Sequence, residues 1–460
     1  MRSRFIGDRK FYRVAMGVTL PIMIQNFITN FVSLLDNLMV GRVGTAPMSG
    51  VAIVNQVLFV LNLCIFGAVS GAGIFTAQYA GSGDDEGVRA TFRFKLLSVL
   101  ALTAAGIAAL SLIGEELVKL WLRGEGSPEE AALYLKYGME YLRAMLWGLP
   151  AFAAANAYCS TLRENGETVV PMAAGIAAVA VNLFFNYVLI FGHFGAPAMG
   201  VRGAAVATVI SRYVELVLAA GWTHTHKGRM PFAAGLYRTL RVPRRLAGQI
   251  FRKGTPLLIN EGLWAAGMAV LNQCYSARGL NVVPAINIES TVWNAMSVAF
   301  MATGNAVGIL IGQKLGQGQD GDRVMDDLAK LTFFSVALNV VTAVLLAAIS
   351  EVFPLLYETT DQVRALAASF IRVSAVMMPF CAFTNCCYFA MRSGGKTLIT
   401  SLFDSVFVWG VCVPLAYILT RFTALPVVPL FFICQATEAV KCVIGLHMIR
   451  ERKWMQTITV

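Results

Sequence analysis

The sequence predicts an all-α polytopic membrane protein with twelve transmembrane helices in two six-helix lobes related by a pseudo-twofold axis. Three observations lead to this class. Hydrophobic residues make up 57% of the 460 residues and charged residues only 14%, about half the charged share of typical soluble domains. Long apolar stretches recur along the chain, and its two halves repeat each other. Secreted, fibrous and nucleic-acid-binding classes are excluded, because so few charges cannot cover a soluble surface.

A transmembrane helix needs about 20 predominantly apolar residues. Between charged or Gly/Pro-rich breaks, twelve stretches meet this condition. They are residues 16–40, 49–80, 96–117, 136–160, 169–192, 202–222, 254–277, 283–313, 331–353, 367–390, 398–420 and 427–449. The charged start of the chain and the long first span do not fit a cleaved signal peptide, so we expect an uncleaved signal anchor.

The basic residues predict the orientation of these spans. The N-terminus, the even-numbered loops and the C-terminus together hold 25 of the 37 Lys and Arg residues. By the positive-inside rule, both termini face the cytoplasm of a cell that carries the protein in its inner or plasma membrane. The net charge of +11 is thus a topology signal and requires no nucleic acid. The basic segment 223–253 has at most a secondary contact with anionic membrane lipid.

The two halves share residues at nearly constant offsets. At an offset of 235 residues, Pro21 corresponds to Pro256 and Gln78 to Gln313. At an offset of 229, the pairs are Pro150 with Pro379, Asn156 with Asn385, Arg163 with Arg392, Gly166 with Gly395 and Thr168 with Thr397. Six spans per repeat make the two repeats parallel, so their symmetry axis follows the membrane normal.

This repeat predicts an N-lobe at residues 1–222, a cytoplasmic linker at 223–253 and a C-lobe at 254–460. Carriers that alternate access between two membrane faces are built from such repeats. A channel is more often an oligomer around its pore, so the duplicated single chain favours a carrier that functions as a monomer.

Span 1 carries a polar stripe that includes a carboxylate. Asn26, Asn30, Ser33 and Asn37 recur on one helix face, with Thr29 and Asp36 beside it. Hydrogen bonding between helices accounts for Asn and Ser, but not for a carboxylate whose own span has no basic residue. Asp36 is therefore a candidate site for a proton or, with further oxygen ligands, for Na⁺.

Three carboxylates in the second half are further candidates. Glu261 and Asp404 lie six or seven residues from the cytoplasmic ends of their spans, hence roughly 10 Å deep. Equal depth in one lobe predicts an acidic pair that shares a proton or a cation, although a gate-locking or structural role stays open. Glu289 neighbours a polar stripe in span 8, where functional and structural roles both stay open.

Other polar features indicate structure rather than chemistry. Two pairs at i, i+3 spacing, Glu438 with Lys441 and Arg212 with Glu215, fit intrahelical neutralisation. The nine cysteines fall in apolar stretches without a CxxC pair, and the four histidines do not cluster with other ligands. No P-loop, HExxH or GxSxG motif occurs. The sequence therefore predicts no enzyme activity, no ATP-driven transport and no cofactor.

Several motifs together resemble the multidrug and toxic compound extrusion (MATE) family. They are LPIMIQNFITNFVSLLDNLMVGRVG (20–44), QYAGSGD (78–84), RENGETVVPM (163–172), VNLFFNYVLIFG (181–192), GVRGAAVATVIS (200–211), LINEGLW (258–264), GNAVGILIGQKLGQG (304–318) and RSGGKT (392–397). The resemblance covers nearly the whole chain. It implies a MATE-like fold of two lobes and Na⁺- or H⁺-driven antiport of mostly cationic, amphipathic drugs.

The resemblance also assigns residues by position. Asp36 matches the family's first-helix aspartate of an N-lobe cation site, and Asn182 matches its fifth-helix asparagine. Asn186 stands where some members have a second carboxylate, and Thr208 lies in a motif that can contribute a hydroxyl. In the second half, the chain resembles a branch with NExLW around Glu261 and an aspartate in span 11, which Asp404 matches.

The coupling ion and the substrate follow as expectations. A single N-lobe carboxylate beside Asn186 favours H⁺, because Na⁺ wants several oxygens and gains from charge. Na⁺ at Asp36 and Asn182, or at Glu261 and Asp404, stays open. A lipid-linked oligosaccharide flippase of the same superfamily is the alternative function, but it should expose more Arg and Lys to hold pyrophosphate.

Overall fold

The computed structural model describes residues 5–122 and 127–459, apart from the side chains of Ser33, Leu34 and Trp121. Ser33, a member of the predicted stripe, therefore lies outside the described side chains. The first half contains α1 (Arg9–Gly41), α2 (Thr45–Ser82), α3 (Asp85–Trp121), α4 (Pro128–Met145), α5 (Leu149–Glu164), α6 (Val169–Phe191) and α7 (Val201–Thr225). The second half contains α8 (Arg244–Ser276), α9 (Val282–Gly316), α10 (Gly321–Ile349), α11 (Asp361–Ser393), α12 (Thr397–Ser401), α13 (Val413–Phe422), α14 (Val427–Gln435) and α15 (Thr437–Arg450).

Each of the twelve predicted spans falls on a helix or on a helix with an interruption, so the predicted twelve-helix membrane fold is confirmed. Within the described ranges, ten helical segments are long and apolar enough to cross a membrane by composition alone. The other two spans are the broken α4–α5 pair and α8, which begins with basic residues and carries Asn260 and Glu261. Helices also extend past the predicted spans. For example, the Asp84 side chain caps α3 by accepting from the Gly87 amide.

The two halves differ where their fourth spans contain the repeated proline. Pro379 lies inside the continuous α11, whereas Pro150 lies at the start of α5, after a turn at residues 146–148. The first half has Gly148 where the second half has Met377. Glycine is a poor helix former and methionine a good one, so the break forms only in the first half.

Spans 11 and 12 have irregular backbone at membrane depth. Two π-helical segments, Leu402–Val406 and Val408–Cys412, connect α12 to α13. Pro414 follows them and has no backbone N–H to donate into the preceding turn. In span 12, α14 ends at Gln435 and α15 begins at Thr437. Such π segments are frequent at functional sites in membrane and soluble helices alike.

The chain forms two compact units. Unit 1 comprises Met1–Met23, Ala77–Gly83 and Arg252–Val460, and unit 2 comprises Ile24–Thr76 and Asp84–Phe251. The core of unit 2 includes Val54, Leu58, Val118, Leu142 and Ala205. In unit 1, one core lies around Leu271, Phe370 and Phe431, and another lies around Val324, Cys386 and Trp454. Within a bilayer, close van der Waals packing of these side chains holds the helices, and with them the polar sites described below, in fixed positions.

Within unit 1, the ends of α2 and α9 approach so closely that only glycine fits. A Cβ at Gly81 would overlap the backbone of Gln313, and a Cβ at Gly316 would overlap the backbone of Gln78. These four residues are two repeat-related pairs. The repeated glycines therefore serve a helix crossing rather than only the turns that follow it.

The C-terminal segment packs on the same helix ends. The Gln78 amide donates to the carbonyl of Ser393 at 2.9 Å and to that of Gln456 at 3.0 Å. Its oxygen accepts from the Ile458 amide at 2.8 Å. Trp454 is 2% exposed and anchors this segment in the core. The fully buried side chain of Gln78 in α2 thus bonds both α11 and the residues after α15.

Candidate functional site

Four predicted residues of the first half meet in unit 2, and we call them the Asp36 cluster: Asp36, Asn182, Asn186 and Thr208. Helices α1, α6 and α7 carry them. The Asn186 amide donates to Asp36 Oδ1 at 2.6 Å and to Asn182 Oδ1 at 3.2 Å. The Asn182 amide donates to Thr208 Oγ1 at 3.2 Å. Because Asn182 and Asn186 are one helical turn apart, α6 presents both to Asp36 on one face.

The amide of Asn182 fits its neighbours in a second orientation as well. With the amide turned over, its nitrogen lies 2.9 Å from Asp36 Oδ1 and 3.3 Å from Oδ2. Its oxygen then accepts from Thr208 Oγ1 at 3.2 Å. Asp36 can therefore receive donors from two asparagines, or lie opposite an amide oxygen when a proton or a cation is bound between them.

The Asp36 cluster has two buried and two half-buried members and holds a single formal negative charge. Asn182 and Asn186 are 4% and 1% exposed. Among the described residues, Asp36 has no basic group within ion-pair distance, although the charge of Arg212 attracts it. Arg212 instead pairs with Glu215 at 3.2 Å, as expected from their spacing. A carboxylate held by neutral amides can take up and release a proton without breaking an ion pair.

Thr208 connects the cluster to a cavity. This cavity is partly open, contains about 350 Å³ of empty space including open solvent, and is lined by Leu58, Asn62, Met145, Gly148, Leu149, Phe152, Thr208, Val209 and Arg212. Its walls are mostly apolar, with Asn62, Thr208 and Arg212 as the polar groups. The guanidinium of Arg212 lies 4.9 Å from the ring centroid of Phe152, over its face. The cluster therefore borders this cavity through Thr208.

In the second half, Asp404 is paired with a lysine that the sequence pattern assigned elsewhere. Lys441 Nζ donates to Asp404 Oδ1 at 3.0 Å and lies 3.7 Å from Glu438 Oε1. The i, i+3 spacing predicted a pair between Lys441 and Glu438 alone. The prediction was incomplete, because the π-helical segment of span 11 brings Asp404 nearer to the ammonium group. We call these three residues the Lys441 cluster.

Asn260 fixes the second oxygen of Asp404. Its amide donates to Asp404 Oδ2 at 3.1 Å. The Ser405 hydroxyl lies 2.6 Å from Asn260 Oδ1 and 2.7 Å from its carbonyl oxygen, and the Ser405 amide donates to Oδ1 at 3.3 Å. Asn260 and Ser405 are almost fully buried. Helix α8 thus holds the π-helical segment through this asparagine.

Glu261 follows Asn260 but does not join the hydrogen bonds of Asp404. Among the described residues, its strongest electrostatic partners are Arg392 and Asp404. The two predicted carboxylates are therefore electrostatically coupled, and Asp404 makes its direct contact with Lys441 instead. A proton or cation shared between Glu261 and Asp404 stays a prediction.

Glu289 lies apart from these hydrogen-bonded groups, between α9 and α11. It is 7% exposed and accepts from the Ser374 hydroxyl at 2.6 Å. Its oxygens are also within reach of Ser290. A buried carboxyl satisfied by hydroxyl donors fits either a proton site or a structural bond between the two helices.

A buried ion pair between Lys95 and Glu164 was missed by sequence reasoning. Lys95 was counted with the cytoplasmic basic residues, but it is fully buried in α3 and bonds Glu164 of α5. Its ammonium also donates to Ser160 at 3.2 Å and to Thr161 at 3.1 Å. A Cβ at Gly73 would overlap Glu164. Two features of the sequence could have revealed this pair: Gly73, which repeats as Gly308 at the offset of 235, and Glu164 in the motif RENGETVVPM.

Within the described residues, no group of three or more His, Cys, Asp or Glu side chains could hold a metal ion. The described cysteines are free. The oxygen atoms that could surround a small cation belong instead to the Asp36 cluster: the carboxylate, two amide oxygens and the Thr208 hydroxyl. The oxygen of the Asn186 amide is buried and accepts no hydrogen bond from the described residues.

The comparisons with known proteins agree with this architecture. The family model described as MatE matches residues 21–188 and 256–418. A probable multidrug resistance protein NorM of Thermotoga maritima is 26% identical over 410 residues, which cover 88% of this chain and 85% of that protein. The multidrug resistance protein PmpM of Pseudomonas aeruginosa is 26% identical over 420 residues, which cover 90% and 85%.

A solved structure shows the same fold. It is an outward-facing conformation of a multidrug resistance MATE family transporter of the MOP superfamily. The two structures have a TM-score of 0.83 at 20% identity, and the match covers 98% of this chain and 97% of the other. The family match spans both halves of the chain, and members of this family are transporters rather than enzymes. The chain therefore belongs to the MatE (MATE) family of multi-pass membrane transporters.

Proposed function

We propose that this transporter exports amphipathic, mostly cationic organic compounds in exchange for an inward-moving cation, by alternating access. The observation that carries the proposal is the Asp36 cluster. It places one carboxylate inside a membrane-spanning unit, bonded to neutral amides and next to a cavity. Intramembrane carboxylates of this kind mark ion pathways. The multidrug resistance names of the relatives support the export of drugs.

For the coupling ion we propose H⁺. The Asp36 cluster has one formal negative charge, and the Asn186 amide nitrogen, not its oxygen, points at the carboxylate. Na⁺ binding would require the Asn186 oxygen to turn toward the ion as well, although the Asn182 oxygen can already face Asp36. A proton requires only the carboxylate. Na⁺ at Asp36 and Asn182, or at Glu261 and Asp404, is the alternative.

For the substrate we propose organic cations, because the carboxyls inside the spans outnumber the free cationic groups near them. In the second half, four carboxyls lie near two basic groups: Glu261, Asp404, Glu438 and Glu289 against Lys441 and Arg392. Amphipathic cations are attracted to such sites. We infer no nucleic-acid partner, contact with membrane lipid, and action as a monomer.

The arrangement that we propose has an N-lobe at residues 1–222, a cytoplasmic linker at 223–253 and a C-lobe at 254–460, in the inner or plasma membrane with both termini in the cytoplasm. A lipid-linked oligosaccharide flippase is not favoured by the comparisons. Such a protein needs unpaired basic groups for pyrophosphate. The one arginine that lines the described cavity, Arg212, is paired with Glu215.

Drug accumulation in cells tests the proposal. Cells that express the chain should accumulate less of a fluorescent organic cation than cells that express Asp36→Asn at equal membrane levels. Collapse of the proton gradient should abolish the difference, and collapse of the Na⁺ gradient alone should leave it. Equal accumulation with and without the protein, for a panel of organic cations, would refute export of this class.

A further inference from the structure

The Lys441 cluster has the features of a binding site for an organic cation, and the ammonium group of Lys441 already occupies this site. We propose that the Lys441 ammonium holds, as a tethered competitor, the position at Asp404 where the cationic group of a substrate binds, and that substrate binding moves Lys441 onto Glu438. The inference rests on the proposed export of organic cations.

The geometry around the ammonium is that of a cation site. Lys441 Nζ lies 3.0 Å from Asp404 Oδ1, 3.7 Å from Glu438 Oε1 and 5.3 Å from the ring centroid of Phe403. Carboxylates and the face of an aromatic ring are the groups that hold ammonium ions in proteins. An aromatic amine or a quaternary cation uses the same contacts.

Hydrogen bonds hold the carboxylates of Asp404 and Glu438 in place, but both side chains are partly exposed. Asn260 fixes Asp404, and the Thr384 hydroxyl donates to Glu438 Oε2 at 3.0 Å. The side chain of Lys441 is only 8% exposed, whereas those of Asp404 and Glu438 are 21% and 22% exposed. A second cation can therefore approach the carboxylates from an open side that Lys441 does not cover.

The cluster becomes neutral once a substrate cation binds, because two carboxylates then face two cations. With Lys441 in place, two carboxylates face one ammonium group, so the cluster keeps a net charge of −1 and attracts a further cation. When a monovalent cation binds Asp404, Lys441 retains Glu438, its neighbour one turn earlier on α15. No charge is left without a partner in either state. The flexible lysine stem allows this short movement.

The backbone around the cluster is suited to such an exchange. Asp404 lies in the π-helical segment Leu402–Val406, and Glu438 and Lys441 lie just after the break between α14 and α15. Irregular backbone at membrane depth is tolerated where it is buried in protein or lines a cavity. In the first segment, Phe403 and Ser405 are buried while Leu402 and Val406 are exposed, so one face of the π-helical segment packs inside the protein beside the Lys441 cluster.

Ethidium binding to the purified full-length protein, measured by fluorescence anisotropy at pH 8, tests the inference. Lys441→Gln removes the competitor and should tighten ethidium binding about tenfold or more. Lys441→Arg supplies a guanidinium that pairs with carboxylates through two bonds, and it should weaken binding. Asp404→Asn in the Lys441→Gln background should cancel the gain. Butylammonium, a free copy of the lysine side chain, should compete with ethidium better in Lys441→Gln than in the parent.

Ethidium affinity that is unchanged or weaker in folded Lys441→Gln would overturn the inference. If Lys441→Gln does not fold, Lys441→Arg decides instead, and unchanged or tighter ethidium binding by Lys441→Arg would overturn the inference. The proposed function fails in a different way: the parent protein then neither binds nor exports organic cations. A parent that exports ethidium but shows no change in affinity at Lys441 leaves the function standing and removes only the tethered competitor.

Discussion

The side-chain amide of Asn186 in α6 donates a hydrogen bond of 2.6 Å to Asp36 in α1, and the two residues are 150 positions apart in sequence. The resemblance predicted that both residues belong to one site, and the structure shows which atom of the asparagine faces the carboxylate. With a nitrogen donor there, the site satisfies an ionised Asp36 and offers no second charge. One formal charge, together with a nitrogen rather than an oxygen facing it, is why we propose H⁺ rather than Na⁺ as the coupling ion.

Asp36→Asn should abolish export while the protein still inserts and folds. The substitution keeps the size of the side chain but removes the group that binds the ion. Drug resistance and expression in the membrane are measured together. Asn37→Ala, at the next residue and exposed, is the matched control and should export normally. Full resistance conferred by Asp36→Asn at parental expression would contradict the role of Asp36.

Asn186→Asp should make transport depend on Na⁺. Two carboxylates at this distance, with the oxygens of Asn182 and Thr208, provide the charge and ligands that a hard cation needs. Dye export by the variant, measured with and without Na⁺ at constant pH, checks this. Export by Asn186→Asp that is as independent of Na⁺ as the parent's would show that charge does not select the ion here.

Glu261 and Asp404 should together set the affinity for organic cations. The double variant Glu261→Gln/Asp404→Asn removes two negative charges and should bind ethidium at least about tenfold more weakly, since one close charge pair is worth about 1.4 kcal/mol or more. Glu289→Gln, which neutralises a buried carboxyl that accepts from the Ser374 hydroxyl, measures how much a single carboxyl outside the pair contributes. Parental affinity in the double variant would exclude the pair from substrate binding.

Glu164→Gln should destabilise the protein by about 3 kcal/mol, because it leaves the fully buried Lys95 without its counter-charge. Glu115, which pairs with Lys119 on an exposed face of α3, provides the control, and Glu115→Gln should leave stability unchanged. Thermal unfolding in detergent measures both variants. Equal melting temperatures for Glu164→Gln and the parent would show that the buried pair contributes nothing.

A chain that ends after Met455 should loosen the C-terminal ends of α2 and α9. This truncation keeps the buried Trp454 but removes the Gln456 carbonyl and the Ile458 amide, which bond Gln78. Hydrogen exchange of peptides that contain residues 77–83 and 313–318 should become faster. Exchange equal to that of the parent would mean that the tail only lies on these helices.

The fold followed from the sequence because apolar length and basic loops are direct consequences of the bilayer. The residues of the Asp36 cluster could also be named from the sequence, since the resemblance to the family assigned positions on three helices. The partner of Asp404 could not. Spacing along a helix reveals Glu438 and Lys441 but not a third residue from another helix. The π-helical turn that brings Asp404 to Lys441 depends on tertiary packing, and no local pattern predicts it.

The buried Lys95 illustrates the same limit for charge counting. A basic residue near a helix end reads as cytoplasmic in the positive-inside rule, which records where charge lies and not whether it is buried. The helix that contains Lys95 begins at Asp85 and places the lysine almost three turns inside. Only the packing of α3 against α5 shows its partner, Glu164.

Dye export from proteoliposomes tests the central claim most directly. Purified protein is reconstituted in Na⁺-free buffer, and a proton gradient is imposed opposite to the direction of export. Our account predicts that this gradient alone drives export of a cationic dye, that its collapse stops export, and that Asp36→Asn shows none. Export that requires Na⁺ and ignores the pH gradient would contradict the account.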